Sequence, residues 1–291
     1  RYMFSNIPSR TFNLDWYMDD ANINTFEFVY KHRDSTNEQT IFKSSGSKAE
    51  TLWDLRVIPS GISSSFEFRL NNSETGSLDI ASNAVSMSTD YIKILDGQLW
   101  NVMLQRMTQS SAGNFTNEYR LHAALQDETG IGPYQYATMS ISGGIEQDNN
   151  HYANLNWFSS GSRHPLSSSN LVVGQTTTGS LAQIKSWTTA LSTSKFRHHV
   201  INKFSTVGNT IRSHEQELVY HFKLAENYNS ASVSASAQSF KIIDSAPKCV
   251  LKKDYSFFRS SKHFASSSVY GFDHINLLTI NLEDNDIKES D

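Results

Sequence analysis

At 291 residues the chain is long enough for one large domain or two ordinary ones. Charged residues make up 19%, aromatics 12%, and the formal net charge is -4. That balance, with Lys and Arg scattered, argues against nucleic-acid binding, which rests on a concentrated positive surface. Ser, Thr and Asn compete locally with helical hydrogen bonds, and aromatics suit pleated surfaces, so a β-rich protein is expected.

Alternation dominates in chain order. "TFEFVYK" puts Phe26, Phe28 and Tyr30 on one face, with Thr25, Glu27 and Lys31 on the polar side. "WDLRV" sets Trp53, Leu55 and Val57 against Asp54 and Arg56, and "SFEFRL" sets Phe66, Phe68 and Leu70 against Glu67 and Arg69. "LWNVML" aligns Trp100, Val102 and Leu104, "YRLHAAL" aligns Tyr119, Leu121, Ala123 and Leu125, and "LVYHFKL" aligns Leu218, Tyr220, Phe222 and Leu224. Period-two runs with one polar face predict antiparallel sheets covered on one side. Turn-forming clusters separate them: "DSTNE", "NNSETGS", "SSAGN" and "DETGIG". The expected fold is therefore all-β, an antiparallel β-sandwich in which two sheets bury their apolar faces against each other.

One helix is expected. Ser192 is its N-cap, and Phe196, Val200 and Phe204 recur at i, i+4 and i+8 as an apolar stripe. Lys195 stands where a capping box would place Glu or Gln. The helix is expected at the rim, stripe inward. Adjacent His198 and His199 point about 100° apart on a helix, a poor arrangement for joint metal ligation, so a structural or surface role is expected for the pair. Residues 159–169 read as a polar loop and 227–239 as a Ser/Ala/Asn-rich linker. The expected organisation is a sandwich over residues 1–209 and a small β-rich extension, or the start of a further module, over 210–291, ending in a solvated acidic tail.

Cys249 is the single cysteine, which excludes an intrachain disulfide. No apolar run reaches the about 18 residues of a membrane span, and no signal peptide is seen. The chain opens on Arg1, mid-pattern, as expected of an ordered piece of a longer or processed polypeptide.

"GQLWNVMLQR" (97–106), "NLVVGQTTTGSLAQIKSWTTALS" (170–192) and "TFEFVYKH…QTIFKSSG" (25–46) resemble elements of the laminin-G/concanavalin A-like lectin/glucanase superfamily. In such modules a strand ends in Val-Gly, a turn follows, and the next strand runs into Trp and a helix start. The likeness covers roughly residues 10 to 209 and implies a jelly-roll sandwich. "ELVYHFKLAEN" with "IIDSA" (217–246) resembles a further module, of the kind found in large virion structural proteins of tailed phages that infect marine bacteria. That resemblance implies a non-enzymatic structural protein of a virion, in tail, neck, baseplate or capsid surface. Its partners would be other virion proteins and further copies of itself, in a symmetric assembly.

Two alternatives carry named residues. A receptor-binding lectin that recognises a host cell-surface glycan would use exposed rings beside amides, as in Tyr152, Asn154, Asn156 and Trp157. The competing reading buries Trp157 and Leu155 in the core. A glycoside hydrolase of this fold needs carboxylates on one strand in E-x-D-x-x-E order, about 5 Å apart for the catalytic pair. Glu146 and Asp148 fit, but His151 stands where the final Glu is required, and Asn149 and Asn150 intervene. No Gly-x-Ser-x-Gly elbow, phosphate loop or zinc-type spacing is present, so no catalytic residue and no cofactor is expected. Asp19, Asp20 and Asn22, or Asp148 and Asn149, supply oxygens for loop Ca²⁺ without a spacing that specifies a site. Sequons occur at Asn71 and Asn114, and matter only in a eukaryotic secretory setting.

Overall fold

The computed structural model describes residues 3–4, 12–15, 23–32, 37–45, 51–72, 79–94, 97–111, 114–128, 130–142, 170–173, 179–210, 212–224 and 245–246. Its strands are β1 (Met3–Phe4), β2 (Phe12–Asp15), β3 (Thr25–Lys31), β4 (Gln39–Ser45), β5 (Thr51–Ser60), β6 (Ser63–Asn71) and β7 (Ala84–Ser88). They continue as β8 (Leu99–Ser111), β9 (Asn114–Asp127), β10 (Gly130–Ser142), β11 (Asn170–Val173), β12 (Ser180–Trp187) and β13 (Leu218–Phe222). The helices are α1 (Thr193–Ile201) and the one-turn α2 (Ser213–Gln216).

One seven-stranded sheet runs β1-β12-β3-β8-β9-β10, with β13 also on β12, and a six-stranded sheet runs β2-β11-β4-β5-β6-β7. Every pairing between these strands is antiparallel. The all-β sandwich expected from alternation is what forms. Its inner faces carry the residues the period-two runs selected: Phe26, Phe28 and Tyr30 from β3, Val102 and Leu104 from β8, Trp53 and Leu55 from β5, Phe66 and Phe68 from β6. Aromatic rings join the two sheets. Phe26 meets Phe42 edge-on at 4.9 Å, Phe28 meets Phe42 at 4.6 Å, and Phe68 stacks on Tyr119 at 5.5 Å.

The outer face of the second sheet is polar, as alternation requires. Asp54 pairs across strands with Arg69, and Arg56 with Glu67. Both couples form ion pairs, Arg69 Nε donating to Asp54 Oδ1 at 2.9 Å. Asn71 is fully buried and donates Nδ2 to the Thr51 carbonyl at 2.9 Å, so this sequon offers no acceptor to solvent.

The outer face of the first sheet departs from expectation, because it is covered too. Thr25 and Glu27, assigned to a polar solvent face, are buried. A second cluster seals them, formed by Met103, Ala124, Trp187, Leu191, Phe196, Val200 and Leu218. α1 supplies Phe196 and Val200 to it, so the helix reaches from the rim across the outer face. Ser192 caps α1 as predicted, its Oγ accepting from Lys195 N at 3.3 Å. The third stripe residue corrects the sequence reading. The helix ends at Ile201, so Phe204 falls in the following turn and is 62% exposed, and His199 takes the inward place instead. We expect Ser192→Ala to cost about 1 kcal/mol, measured as a lowered urea midpoint at constant m-value.

Two register shifts shape this face. β12 pairs Ala182 with Val29 but Lys185 with Glu27, so it carries one extra residue there, and Gln183 sits at φ 51°. The bulge reverses the alternation: Leu181 and Ile184 both face the core, while Lys185 and Trp187 turn outward beside Glu27. In β13, Ser186 pairs with Tyr220 and Trp187 with Leu218, which leaves Val219 as an extra residue. Leu218 therefore joins the helix-side cluster instead of the main core with Tyr220, Phe222 and Leu224. β13 lies beyond residue 209 and adds a strand to the first sheet.

Candidate functional site

Tyr152, Asn154, Asn156 and Trp157 lie outside the described residues, as do Glu146, Asp148, Asn149, His151, Asp19, Asp20, Asn22 and Cys249. Among the described residues, no group of three or more His, Cys, Asp and Glu is placed to hold a metal ion. No helix there is long and apolar enough to cross a membrane. Two other constellations carry polar chemistry.

The first is sealed beneath α1. Glu27, at 4% exposure, accepts from Trp187 Nε1 at 3.0 Å and faces His199 Nδ1 with both carboxylate oxygens, at 3.0 and 2.9 Å. Lys185 Nζ stands 3.9 Å away and donates to the carbonyls of Lys203 and Ser205, at 3.1 and 2.5 Å. Burial by itself would raise the Glu27 pKa. The charges of His199 and Lys185, with hydrogen bonds from His199 and Trp187, outweigh burial and lower it to about 2. The carboxylate is thus ionised and spoken for on every side. A small cavity beside it is lined by Asn101, Gln183, Lys185, His199 and Lys203. His198 diverges from His199, the two rings lying 6.0 Å apart at 50°.

The second constellation is open. His122 on β9 and Tyr136 on β10 are direct cross-strand partners, their rings 4.7 Å apart. Tyr134, two residues before, reaches His122 Nδ1 with its hydroxyl at 2.5 Å and lies 6.4 Å from the Phe196 ring. The Arg197 guanidinium sits over the Tyr134 ring at 5.7 Å. His122 is buried beneath them, and burial first, then nearby Arg120, lowers its pKa to about 4, so it is neutral at pH 7. Tyr136, 47% exposed, and Arg197 are left in solvent. The face continues past it with exposed Thr138 and Ser140, cross-strand partners of Arg120 and Glu118, which pair with each other at 2.6 Å.

The architecture that holds this ledge is decided by strand order and register. It is a two-sheet antiparallel β-sandwich. No protein-family model matches the chain, and no curated protein matches it. Among solved structures, the chain is similar to the IT-sialidase CBM40 of Ruminococcus gnavus bound to alpha2,3 sialyllactose, at 12% identity and TM-score 0.37, over 65% of this chain and 91% of that one. It is similar to the native heptameric SAP-like pentraxin of Limulus polyphemus at 13% identity and TM-score 0.36, over 68% of this chain and 79% of that one. It is also similar to the LG1-3 region of the laminin alpha2 chain at 13% identity and TM-score 0.35, over 60% of this chain, but spans only 30% of that longer one. Likenesses this distant leave the ligand to be argued from the chain's own residues.

Neither constellation was singled out from sequence. Glu27 was hidden by its place in a clean alternating run, where it reads as solvent-facing. Tyr134 and Tyr136 sit at i and i+2 in "GIGPYQYATMSIS", an uncharged run whose Gly and Pro residues mask its strand character. Two aromatics at strand spacing, with no charge nearby, were the available signal.

Proposed function

We propose that the chain is a non-enzymatic recognition module that works by protein–protein contact, docking neighbours on the outer face and edge of the β9–β10 hairpin. The observation that carries this reading is Tyr136, half exposed on a 13-residue strand without a charged residue. Among the described residues that strand pairs with β9 alone and so ends its sheet. Edge strands are ordinarily blunted by charge, proline or a bulge. Here Pro133 and the register shift between Ile131 and Tyr134 blunt only the first part, leaving Tyr134–Ser142 able to accept a partner. The sealed Glu27 cluster supports a binding role, since its groups are committed to holding α1 down. The overall resemblance of the sequence, with its tandem modules and Asn- and Ser-rich loops, to large virion structural proteins supports the setting: a multi-copy particle of a tailed phage, with the chain located in the virion.

A second reading, glycan recognition, is favoured by the same ring. A sugar face stacks on an exposed tyrosine, and Arg197, Thr138 and Ser140 stand near enough along the face to address hydroxyls. One experiment separates the two. Self-association is followed by light scattering across concentration, in parallel with binding to a glycan array, for the wild type, Tyr136→Ala and Gln135→Lys. The protein-contact reading expects concentration-dependent assembly that both substitutions weaken, with stability changed by less than about 1 kcal/mol. A chain that stays monomeric and binds a glycan saturably, with loss in Tyr136→Ala, overturns it in favour of the second.

A further inference from the structure

The hydrogen bonds that fasten α1 to the sheet fix a protonation state. His199 presents Nδ1 to both oxygens of Glu27 and Nε2 to the Val207 carbonyl at 2.8 Å. An ionised carboxylate and a carbonyl both accept and cannot donate. A neutral imidazole has one N–H and one lone pair, so either tautomer would set a lone pair against an oxygen in a buried site. The doubly protonated ring satisfies both partners. The groups packed around it carry charge of both signs. From β3 comes the Glu27 carboxylate, and from β12 come the Lys185 ammonium and the Trp187 ring, stacked 6.0 Å away at 24°. From β13 comes His221, whose charged form is disfavoured by burial and by the positive charges of Lys185, Lys223 and His199. On its own element and the turn that follows, His198 and Lys203 flank it.

We propose that His199 is held as an imidazolium in the folded protein, and that this charge is a latch closing α1 and the turn after it over the sheet. The arrangement is reciprocal. Two buried cations share Glu27 on one side, and on the other they grip three carbonyls of a single turn: Val207 by His199, Lys203 and Ser205 by Lys185. One carboxylate against two cations is thereby completed by backbone dipoles. Without that proton His199 has one donor for two accepting partners, so one of the two attachments fails and α1 loosens. Because α1 carries Phe196 and Arg197, the aromatic ledge loosens with it. The latch itself stands independently of what the ledge binds.

The test is a long-range ¹⁵N–¹H correlation spectrum of the histidine rings in the full chain at pH 7. Both ring nitrogens of His199 should show the shifts of protonated nitrogen, and a lone-pair-type shift on either one overturns the proposal. A second readout is hydrogen exchange of α1 amides at neutral pH, corrected for intrinsic rate. His199→Gln should lower α1 protection roughly tenfold, as loss of a charge-assisted hydrogen bond implies. Equal protection in the variant and the wild type would contradict the latch. The spectrum of the wild type decides the matter even where the variant fails to fold.

Discussion

Glu27→Ala should destabilise the protein by about 3–5 kcal/mol, seen as a large drop in the urea midpoint, because it leaves buried cations without their counter-charge. The carboxylate takes the Trp187 indole N–H and the His199 ring, and Lys185 lies 3.9 Å away, all within the helix-covered face. Removing it strands the Trp187 and His199 donors and takes the counter-charge away from Lys185. Glu27→Gln should cost less, since an amide oxygen still accepts from Trp187. The pH dependence follows from the same group. A carboxylate whose pKa is depressed contributes stability that is complete above its ordinary value of 4.5 and is lost as pH falls toward about 2. The interval corresponds to roughly 3 kcal/mol, so the wild type should show an acid limb between pH 5 and pH 2 that Glu27→Gln flattens. An unchanged acid limb in the variant would show that Glu27 does not supply it.

Phe26→Ala should cost a further class of energy, about 3–5 kcal/mol, through a cavity at the centre of the sandwich. Phe26 is fully buried on β3 and touches Phe28 on its own strand at 5.8 Å, Phe42 at 4.9 Å and Trp53 at 6.2 Å on the facing sheet. Its removal empties the space between the sheets where neither backbone can close in. Phe26→Leu should recover more than half of the loss, as it restores most of the volume. Because Phe26 and Glu27 point to opposite faces of one strand, their effects should add, except for whatever strand fraying they share. A thermal or urea midpoint for Phe26→Ala equal to wild type would contradict the assignment of the core.

The contrast between these neighbours shows what alternation can reveal. Phe26, Trp53, Phe66 and Val102 were legible as core because each lies in a run whose period matches the pleat, and a sandwich needs nothing more from them. Their polar partners divided in two. Asp54, Arg56, Glu67 and Arg69 occupy the outer face of the second sheet and form cross-strand ion pairs, as the pattern suggests. Thr25 and Glu27 have the same pattern and are buried, since a helix far along the chain covers Glu27 and the segment leading into it covers Thr25. Period two identifies a face and is silent on what covers it.

The β12 bulge explains the rest. "SLAQIKSW" read with strict alternation puts Leu181, Lys185 and Trp187 on one face, whereas the extra residue at Gln183 moves Lys185 and Trp187 to the other. The three-residue spacing between Leu181 and Ile184 is the trace this leaves in the sequence. In α1, the Ser192 cap was visible, but the stripe was extended one turn too far. Phe204 belongs to a turn whose carbonyls are held by Lys185 and His199, and His199 occupies the inward position. The ledge went unread because Gly130, Gly132 and Pro133 open β10 with the residues of a turn.

The measurement that bears most directly on the proposed role is hydrogen–deuterium exchange of β9 and β10 amides, comparing the dilute isolated chain with the chain in its assembled state. Recognition through the hairpin predicts that Tyr134–Ser142 exchanges markedly more slowly after assembly, while the strands of the second sheet are unchanged. Unaltered exchange along β10, with protection appearing elsewhere on the sandwich, would contradict it.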